Sequence, residues 1–104
     1  MKDALLAALR EIKDPEVGLN VLDLGLVYRV DFDREKGAVL LKLTLTTPAC
    51  PMGEALVAGI RRRLLQVEGV EEVRVELVFD PPWTPERITP QGRAELDRLG
   101  RPAG

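Results

Sequence analysis

The sequence predicts a two-layer α+β domain, with helices packed on a small mixed three-stranded sheet in the order α-β-β-α-β-α. Two observations predict this class. Stretches with apolar residues at helical spacing are interleaved with stretches in which apolar and polar residues alternate. A helix also separates the last two strand-like stretches, and such a connection normally joins parallel strands in a right-handed sense. At 104 residues the chain is long enough for a single domain, residues 1–104, with one core.

The first element is an amphipathic helix, predicted over residues 3–12 with Asp3 as its N-cap. It ends before Pro15, because the residue preceding a proline is pushed out of the α region. Residues 14–27 are then too apolar for an ordinary loop and too interrupted by Gly and Pro for a helix. We expect this stretch to lie across the domain and to lead into the first strand.

A β-hairpin follows, with strands predicted over residues 26–33 and 38–46. Gly37 in the connecting loop is available for a positive φ. Thr44 is predicted to lie on the face opposite the core. The core-facing positions are predicted to be Leu26, Tyr28, Val30, Phe32, Val39, Leu41, Leu43 and Leu45.

The second helix is predicted over residues 52–67, with Leu56, Ile60 and Leu64 as its apolar stripe. Gly59 lies inside this helix, where glycine costs about 1 kcal/mol relative to alanine. We therefore expect Gly59 to mark close packing of the helix on the sheet.

A third strand is predicted over residues 71–79, and a last helix over 90–99 with Thr89 as its N-cap. Residues 101–104 are expected to be a frayed tail. The core-facing positions of the third strand are predicted to be Val73, Val75, Leu77 and Phe79.

The segment between the second strand and the second helix, Thr46-Thr47-Pro48-Ala49-Cys50-Pro51-Met52-Gly53, contains the only cysteine. Pro51 suits the first helical position, which places Cys50 at or near the N-cap. The free N–H groups and the helix dipole there favour a thiolate, so Cys50 is a candidate reactive or metal-ligating residue. The alternative is a small buried hydrophobic side chain, the commonest role of a lone intracellular cysteine.

Two carboxylates and two hydroxyls are further candidates. Asp14 and Glu16 flank a proline, so they could act as a pair in acid–base chemistry or on a hard cation. The alternative is an ordinary turn at a helix end. Thr46 and Thr47 could donate hydroxyl hydrogens to an anion or a sulfur near the cysteine, and the alternative is capping of the strand end.

The composition excludes several classes of function. The chain contains no histidine, which excludes Ser–His–Asp triads, Cys–His dyads and every zinc site that needs histidine. One cysteine excludes an internal disulfide and a CxxC redox pair within the chain. The net charge of −2 argues against nucleic acid as a partner, and no apolar run approaches membrane-spanning length. We expect a cytoplasmic protein that binds neither nucleic acid nor membrane.

Four motifs in order resemble the metal–sulfur cluster assembly family, which includes SufT, PaaD-like proteins and the eukaryotic cytosolic iron–sulfur targeting factors. The motifs are Asp-Pro-Glu at 14–16, Asp-Leu-Gly-Leu-Val at 23–27, Thr-Leu-Thr-Thr-Pro-Ala-Cys-Pro at 44–51 and Pro-Trp-Thr-Pro-Glu-Arg-Ile at 82–88. The resemblance covers nearly the whole chain. It implies a non-enzymatic role in the maturation of iron–sulfur proteins. The residues that match the family's functional positions are Asp14, Glu16, Thr46, Thr47 and Cys50.

Under that resemblance we expect Cys50 to handle a transient iron–sulfur cluster or metal, with no tightly bound cofactor. A cluster usually needs four ligands, mostly thiolates, and one cysteine per chain cannot supply them. The expected partners are cluster carriers or scaffolds and client apo-proteins, and a homodimer is left open. Two alternatives remain: a pure adaptor with a structural Cys50, and an enzyme that uses Cys50 as a nucleophilic or peroxidatic thiol.

Overall fold

The structure is a computed structural model that describes residues 1–46 and 53–100. Within these ranges the chain forms three α-helices, one short 3-10 helix and a three-stranded sheet, in the predicted order. The predicted α+β class is therefore confirmed. The elements are α1 (Lys2–Leu9), β1 (Val27–Asp33), β2 (Ala38–Leu43), α2 (Gly53–Leu65), β3 (Glu72–Leu77), the 3-10 helix (Pro85–Arg87) and α3 (Pro90–Arg98). The predicted tail, residues 101–104, lies outside the described residues.

The sheet has β2 in its centre, antiparallel to β1 and parallel to β3. Leu41 of β2 lies opposite Val30 of β1 and Val75 of β3, so the predicted hairpin and the predicted parallel pair are both confirmed. Gly37 takes φ +62° in the hairpin, and a Cβ built there would lie 2.8 Å from the Gly69 carbonyl oxygen. Glycine is therefore required at this turn.

The core lies between one face of the sheet and the helices α1 and α2. The predicted stripe of α2 is confirmed, since Ile60 and Leu64 are fully buried and Leu56 is nearly so. The long stretch between α1 and β1 also contributes to the core, as expected for a segment that lies across the domain. Its buried apolar residues are Leu19, Val21, Leu24 and Leu26.

Two predictions about the helices are wrong. The first helix begins at Lys2 with Met1 as its N-cap, which makes no side-chain capping bond, and Asp3 lies in the first turn. A carboxylate there still interacts favourably with the helix dipole. Gly59 does not pack closely, because a Cβ built on it meets no described atom within 4 Å. Gly59 precedes the buried Ile60, so it lies about 100° around the helix from that residue.

Four predictions about the strands are also wrong. Tyr28 is not among the residues that pack against the core, because the register of β1 shifts between Val27 and Arg29 and Val27 packs there instead. Leu77 and Phe79 are 44% and 40% exposed, because β3 is an edge strand and ends at Leu77. Thr44 is fully buried although it alternates with the core-facing residues of β2. The backbone N–H of Thr44 donates to the Leu26 carbonyl oxygen at 2.8 Å. The chain beyond β2 therefore still pairs with the residue that precedes β1.

Candidate functional site

The structure locates three of the five predicted site residues. Asp14, Glu16 and Thr46 are among the described residues, whereas Thr47 and Cys50 lie outside them. The end points of the segment that carries Cys50 are nevertheless defined, since Thr46 follows β2 and Gly53 begins α2. A Cβ built on Gly53 would lie 2.8 Å from a methyl carbon of Leu45, so the start of α2 lies directly against the chain that leaves β2.

Asp14 is buried and organises its own turn. Asp14 is only 3% exposed. Its Oδ1 accepts hydrogen bonds from the backbone N–H groups of Glu16 at 2.8 Å and Val17 at 3.3 Å. Its own backbone N–H donates to the Leu19 carbonyl at 3.0 Å, and its carbonyl accepts from the Gly18 N–H at 2.7 Å. The carboxylate therefore caps the turn that follows α1, as aspartate side chains commonly do.

The two carboxylates occupy different environments. Glu16 is exposed, whereas Asp14 is buried and turned toward the amides of its own turn. Among the described residues, no three His, Cys, Asp or Glu side chains gather into a group that could hold a metal ion. A site made of Asp14 and Glu16 would therefore need at least one further ligand from elsewhere.

A mostly apolar pocket of about 240 Å³ lies beside Thr46. Its wall brings together residues from or next to all four motifs of the resemblance. Leu24 belongs to the second motif and Thr46 to the third, while Val17 directly follows the first. The lining residues are Val17, Leu24, Thr46, Trp83, Pro85, Ile88 and Leu96.

The fourth motif is held over this pocket by hydrogen bonds from other parts of the chain. The Trp83 indole N–H donates to the Leu24 carbonyl oxygen at 2.7 Å, which ties the two walls together. The Tyr28 hydroxyl donates to the Pro81 carbonyl oxygen at 2.7 Å, and the Arg87 guanidinium stacks 4.1 Å from the centre of the Tyr28 ring. These contacts fix the segment that follows β3 against the end of the sheet.

Within that motif, Thr84 and Glu86 interact through their side chains. The hydrogen bond from Thr84 holds the pKa of the exposed Glu86 carboxyl below its ordinary value, with smaller contributions from the Glu86 backbone and Arg93. Pro85, the first residue of the 3-10 helix, lines the pocket.

Asp23, the first residue of the second motif, joins three segments of the fold. Its carboxylate accepts hydrogen bonds from Arg10 at 3.3 Å, from Asn20 at 2.8 Å and from the Thr89 hydroxyl at 3.0 Å. The Thr89 hydroxyl also caps α3, as predicted, by accepting from the Gly92 N–H at 3.0 Å. Asp23 therefore positions α1, the long stretch and α3 relative to one another.

Gly25 shows how closely the second and fourth motifs pack. It takes φ +80°, and a Cβ built there would lie 2.4 Å from the Arg87 carbonyl oxygen. Any larger residue would therefore force the two motifs apart, so the second motif has a structural reason for its glycine.

Thr44 is a buried hydroxyl that the sequence did not indicate as a site residue. Its Oγ1 is buried and has no hydrogen-bond partner among residues 1–46 and 53–100. Leaving a buried hydroxyl unpaired costs about 1–3 kcal/mol. The signal that could have identified it is its position in the third motif, two residues before Thr46.

Across the described residues, no helix combines the length and apolar character that a membrane crossing requires.

Comparisons with known proteins agree with the resemblance. Residues 2–77 match the family described as "Iron-sulfur cluster assembly protein". The chain is 35% identical over 98 residues to the "Fe-S protein maturation auxiliary factor" of Porphyromonas gingivalis, covering 94% of this chain and 92% of that protein. It is 41% identical over 76 residues to the "Iron-sulfur cluster carrier protein" of Deinococcus radiodurans, covering 73% of this chain but 21% of that one. The crystal structure of a domain of unknown function from Bacillus anthracis matches with a TM-score of 0.85 and 34% identity, over 91% of this chain and 90% of that one.

Proposed function

Because this chain belongs to the iron–sulfur cluster assembly protein family, we propose that it is a non-enzymatic factor that handles a transient iron–sulfur cluster or metal through Cys50. In this role it assists the maturation of client apo-proteins in the cytoplasm. The observation that supports the proposal most directly is the position of Thr46. This residue lines the pocket at which the four motifs meet, and the segment with Cys50 begins immediately after it.

The ligand count determines how Cys50 would act. Protein-bound clusters usually have four ligands, mostly thiolates, and this chain has one cysteine and no histidine. The remaining ligands must come from a second chain, a small thiol, a carboxylate or a cysteine of the client. A cluster held by one protein thiolate is easily passed on, which suits transfer rather than storage. The cluster is therefore cargo, and the partners are carriers or scaffolds and the client.

The other predicted residues support this role in different ways. Thr46 is partly exposed beside the pocket, and we assign its hydroxyl and that of Thr47 to hydrogen bonds with sulfur or an anion at Cys50. Glu16 is the exposed carboxylate, and we assign it to contact with the cargo or a partner. Asp14 acts by holding the turn that presents Glu16.

Anaerobic reconstitution with iron and sulfide tests this proposal. We expect the wild-type chain to bind iron and sulfide with visible cluster absorbance, and Cys50→Ser to bind neither. Thr46→Val is the matched variant for the hydroxyl, and we expect a cluster that forms but is lost sooner. Iron below one cluster per chain indicates a cluster shared between chains. Equal binding by wild type and Cys50→Ser, or by neither, would overturn the carrier role of Cys50.

A pure adaptor is the second candidate, because the pocket beside Thr46 is mostly apolar and could receive a partner's side chain without any cluster. In that case Cys50→Ser would leave client maturation unchanged in cells. Leu24 lines the pocket but is fully buried, so the partly buried Val17, which also lines it, is the better position to alter. Val17→Ser would then abolish maturation while Cys50→Ser would not. The reverse pattern would exclude the adaptor.

A further inference from the structure

The outer edge of β3 has the features of a surface that pairs with a second copy of this chain. β3 is an edge strand of six residues, Glu72–Leu77, with a regular parallel register to β2. An edge strand presents unpaired backbone groups that can template another strand. The other edge, β1, is less suitable, because its register shifts between Val27 and Arg29 and its Arg29 already pairs with Asp31. Bulges of this kind protect an edge from pairing.

Backbone hydrogen bonds define which groups of β3 face outward. The N–H groups of Glu72 and Val78 donate to the Gly37 and Leu43 carbonyls, at 3.2 Å and 2.9 Å, and therefore point toward the β2 side. Peptide groups alternate in direction along a strand. The N–H and C=O groups of the odd-numbered residues of β3, which are Val73, Val75 and Leu77, consequently point away from the sheet.

The charges on the strand select one register for self-pairing. In an antiparallel pair centred on Val75, the two Val75 residues exchange both backbone hydrogen bonds, and Arg74 of each copy lies opposite Glu76 of the other. These two charges then occupy non-hydrogen-bonded positions, where facing side chains are closest. Centring the pair on Arg74 or on Glu76 would instead place identical charges opposite each other, which is destabilising.

The same register also gives Leu77, the exposed apolar residue at the end of β3, an apolar neighbour in the second copy. Leu77, which is 44% exposed, would lie opposite Val73 of the second copy, on the face of the sheet that packs against the core. Arg74 and Glu76 are both exposed, and neither forms an ion pair with another described residue. Both charges are therefore available to the second copy.

We propose that two copies of the chain pair through β3 in this antiparallel register, which forms one continuous six-stranded sheet. The two β3 strands run in opposite directions, and each β2 is parallel to its own β3. The C-terminal ends of the two β2 strands therefore lie at opposite ends of that sheet. Each copy therefore keeps its own Thr46 and its own pocket. The dimer therefore keeps the two pockets beside Thr46 apart. This interface is independent of the function proposed above.

A charge-reversal cycle tests the interface. We expect the wild-type chain to be a dimer by sedimentation equilibrium or light scattering. Arg74→Glu and Glu76→Arg should each weaken dimerisation on the order of tenfold, because each change occurs twice in the symmetric dimer. The double variant Arg74→Glu/Glu76→Arg should dimerise like the wild type. Arg62→Glu, an exposed substitution on α2, is the matched control and should leave the dimer unchanged.

Mixing the two single variants gives the sharpest outcome. A chain with Arg74→Glu has two acidic residues at the pairing positions, and a chain with Glu76→Arg has two basic ones. Equimolar mixing should therefore yield a heterodimer that is tighter than the homodimer of either single variant. A wild-type chain that is monomeric at its highest soluble concentration would overturn the proposal. Dimers that neither single reversal weakens would also overturn it. Circular dichroism of each variant verifies that the fold is retained.

Discussion

The role of Asp14 can be separated into a structural part and a chemical part by two substitutions. Asp14→Ala removes the carboxylate oxygen that accepts from the N–H groups of Glu16 and Val17. Hydrogen bonds to charged groups contribute about 1.5–3 kcal/mol each, but the freed N–H of an exposed residue regains water. We therefore expect a loss of about 2 kcal/mol, which lowers the melting temperature of a domain of this size by about 10 °C.

The chain contains a matched control for this substitution. Asp33 makes the same pair of bonds in the hairpin, accepting from the N–H groups of Glu35 at 3.0 Å and Lys36 at 3.3 Å, but it is exposed. Asp33→Ala should cost about 0.5–1 kcal/mol, because water replaces the lost acceptor. Thermal and urea unfolding of both variants measures the difference. If Asp33→Ala is as destabilising as Asp14→Ala, the argument from burial is wrong.

Asp14→Asn then tests for a chemical role. Asparagine keeps an acceptor oxygen at the same place, so we expect most of the stability to remain. If Asp14 acts only through its turn, Asp14→Asn will support client maturation in cells as well as the wild type does. A stable Asp14→Asn chain that fails in maturation would show that the negative charge itself is needed, and would refute the assignment of Asp14 to the turn.

Further predictions concern four single sites. Thr44→Val should raise stability by about 1 kcal/mol in urea unfolding, because it removes an unpaired buried hydroxyl at nearly constant volume; a loss of stability would show that the hydroxyl has a partner. Gly25→Ala should lower the free energy of unfolding by more than about 2 kcal/mol in the same assay, because φ is +80° and the new Cβ clashes with the backbone of Arg87. Gly59→Ala should raise the free energy of unfolding by about 0.5–1 kcal/mol, because the new Cβ meets no described atom and alanine favours the helix. Thr84→Val should raise the pKa of Glu86 toward its ordinary value in an NMR titration, and an unchanged pKa would contradict the assigned hydrogen bond.

Local patterns in the sequence predicted most of the fold. Alternation identified the buried face of β2, and the apolar stripe identified the buried face of α2, because each pattern depends only on the period of its own element. Leu77 and Phe79 were predicted incorrectly for a related reason. Alternation defines the face on which a side chain lies, but the order of the strands decides whether anything covers it, and β3 is an edge.

The site was predictable in its motifs and not in its geometry. The Asp-Pro-Glu spacing predicted a stiff backbone, but it could not show that Asp14 turns back to the amides of its own turn, since that depends on local hydrogen bonding after folding. The pocket could not be predicted from the sequence, because the residues that line it are far apart in the chain, as Val17 and Trp83 are. The predictions for Cys50 and Thr47 stay predictions, because both lie outside the described residues.

The central claim is that the Cys50 thiolate handles the cluster that the client receives. The most direct measurement is anaerobic transfer, in which reconstituted wild-type chain is mixed with a purified apo iron–sulfur enzyme and recovery of the enzyme's activity is followed. We expect activity to rise with the wild-type chain and to stay at the level of free iron and sulfide with Cys50→Ser. Equal recovery with the two chains would contradict the claim.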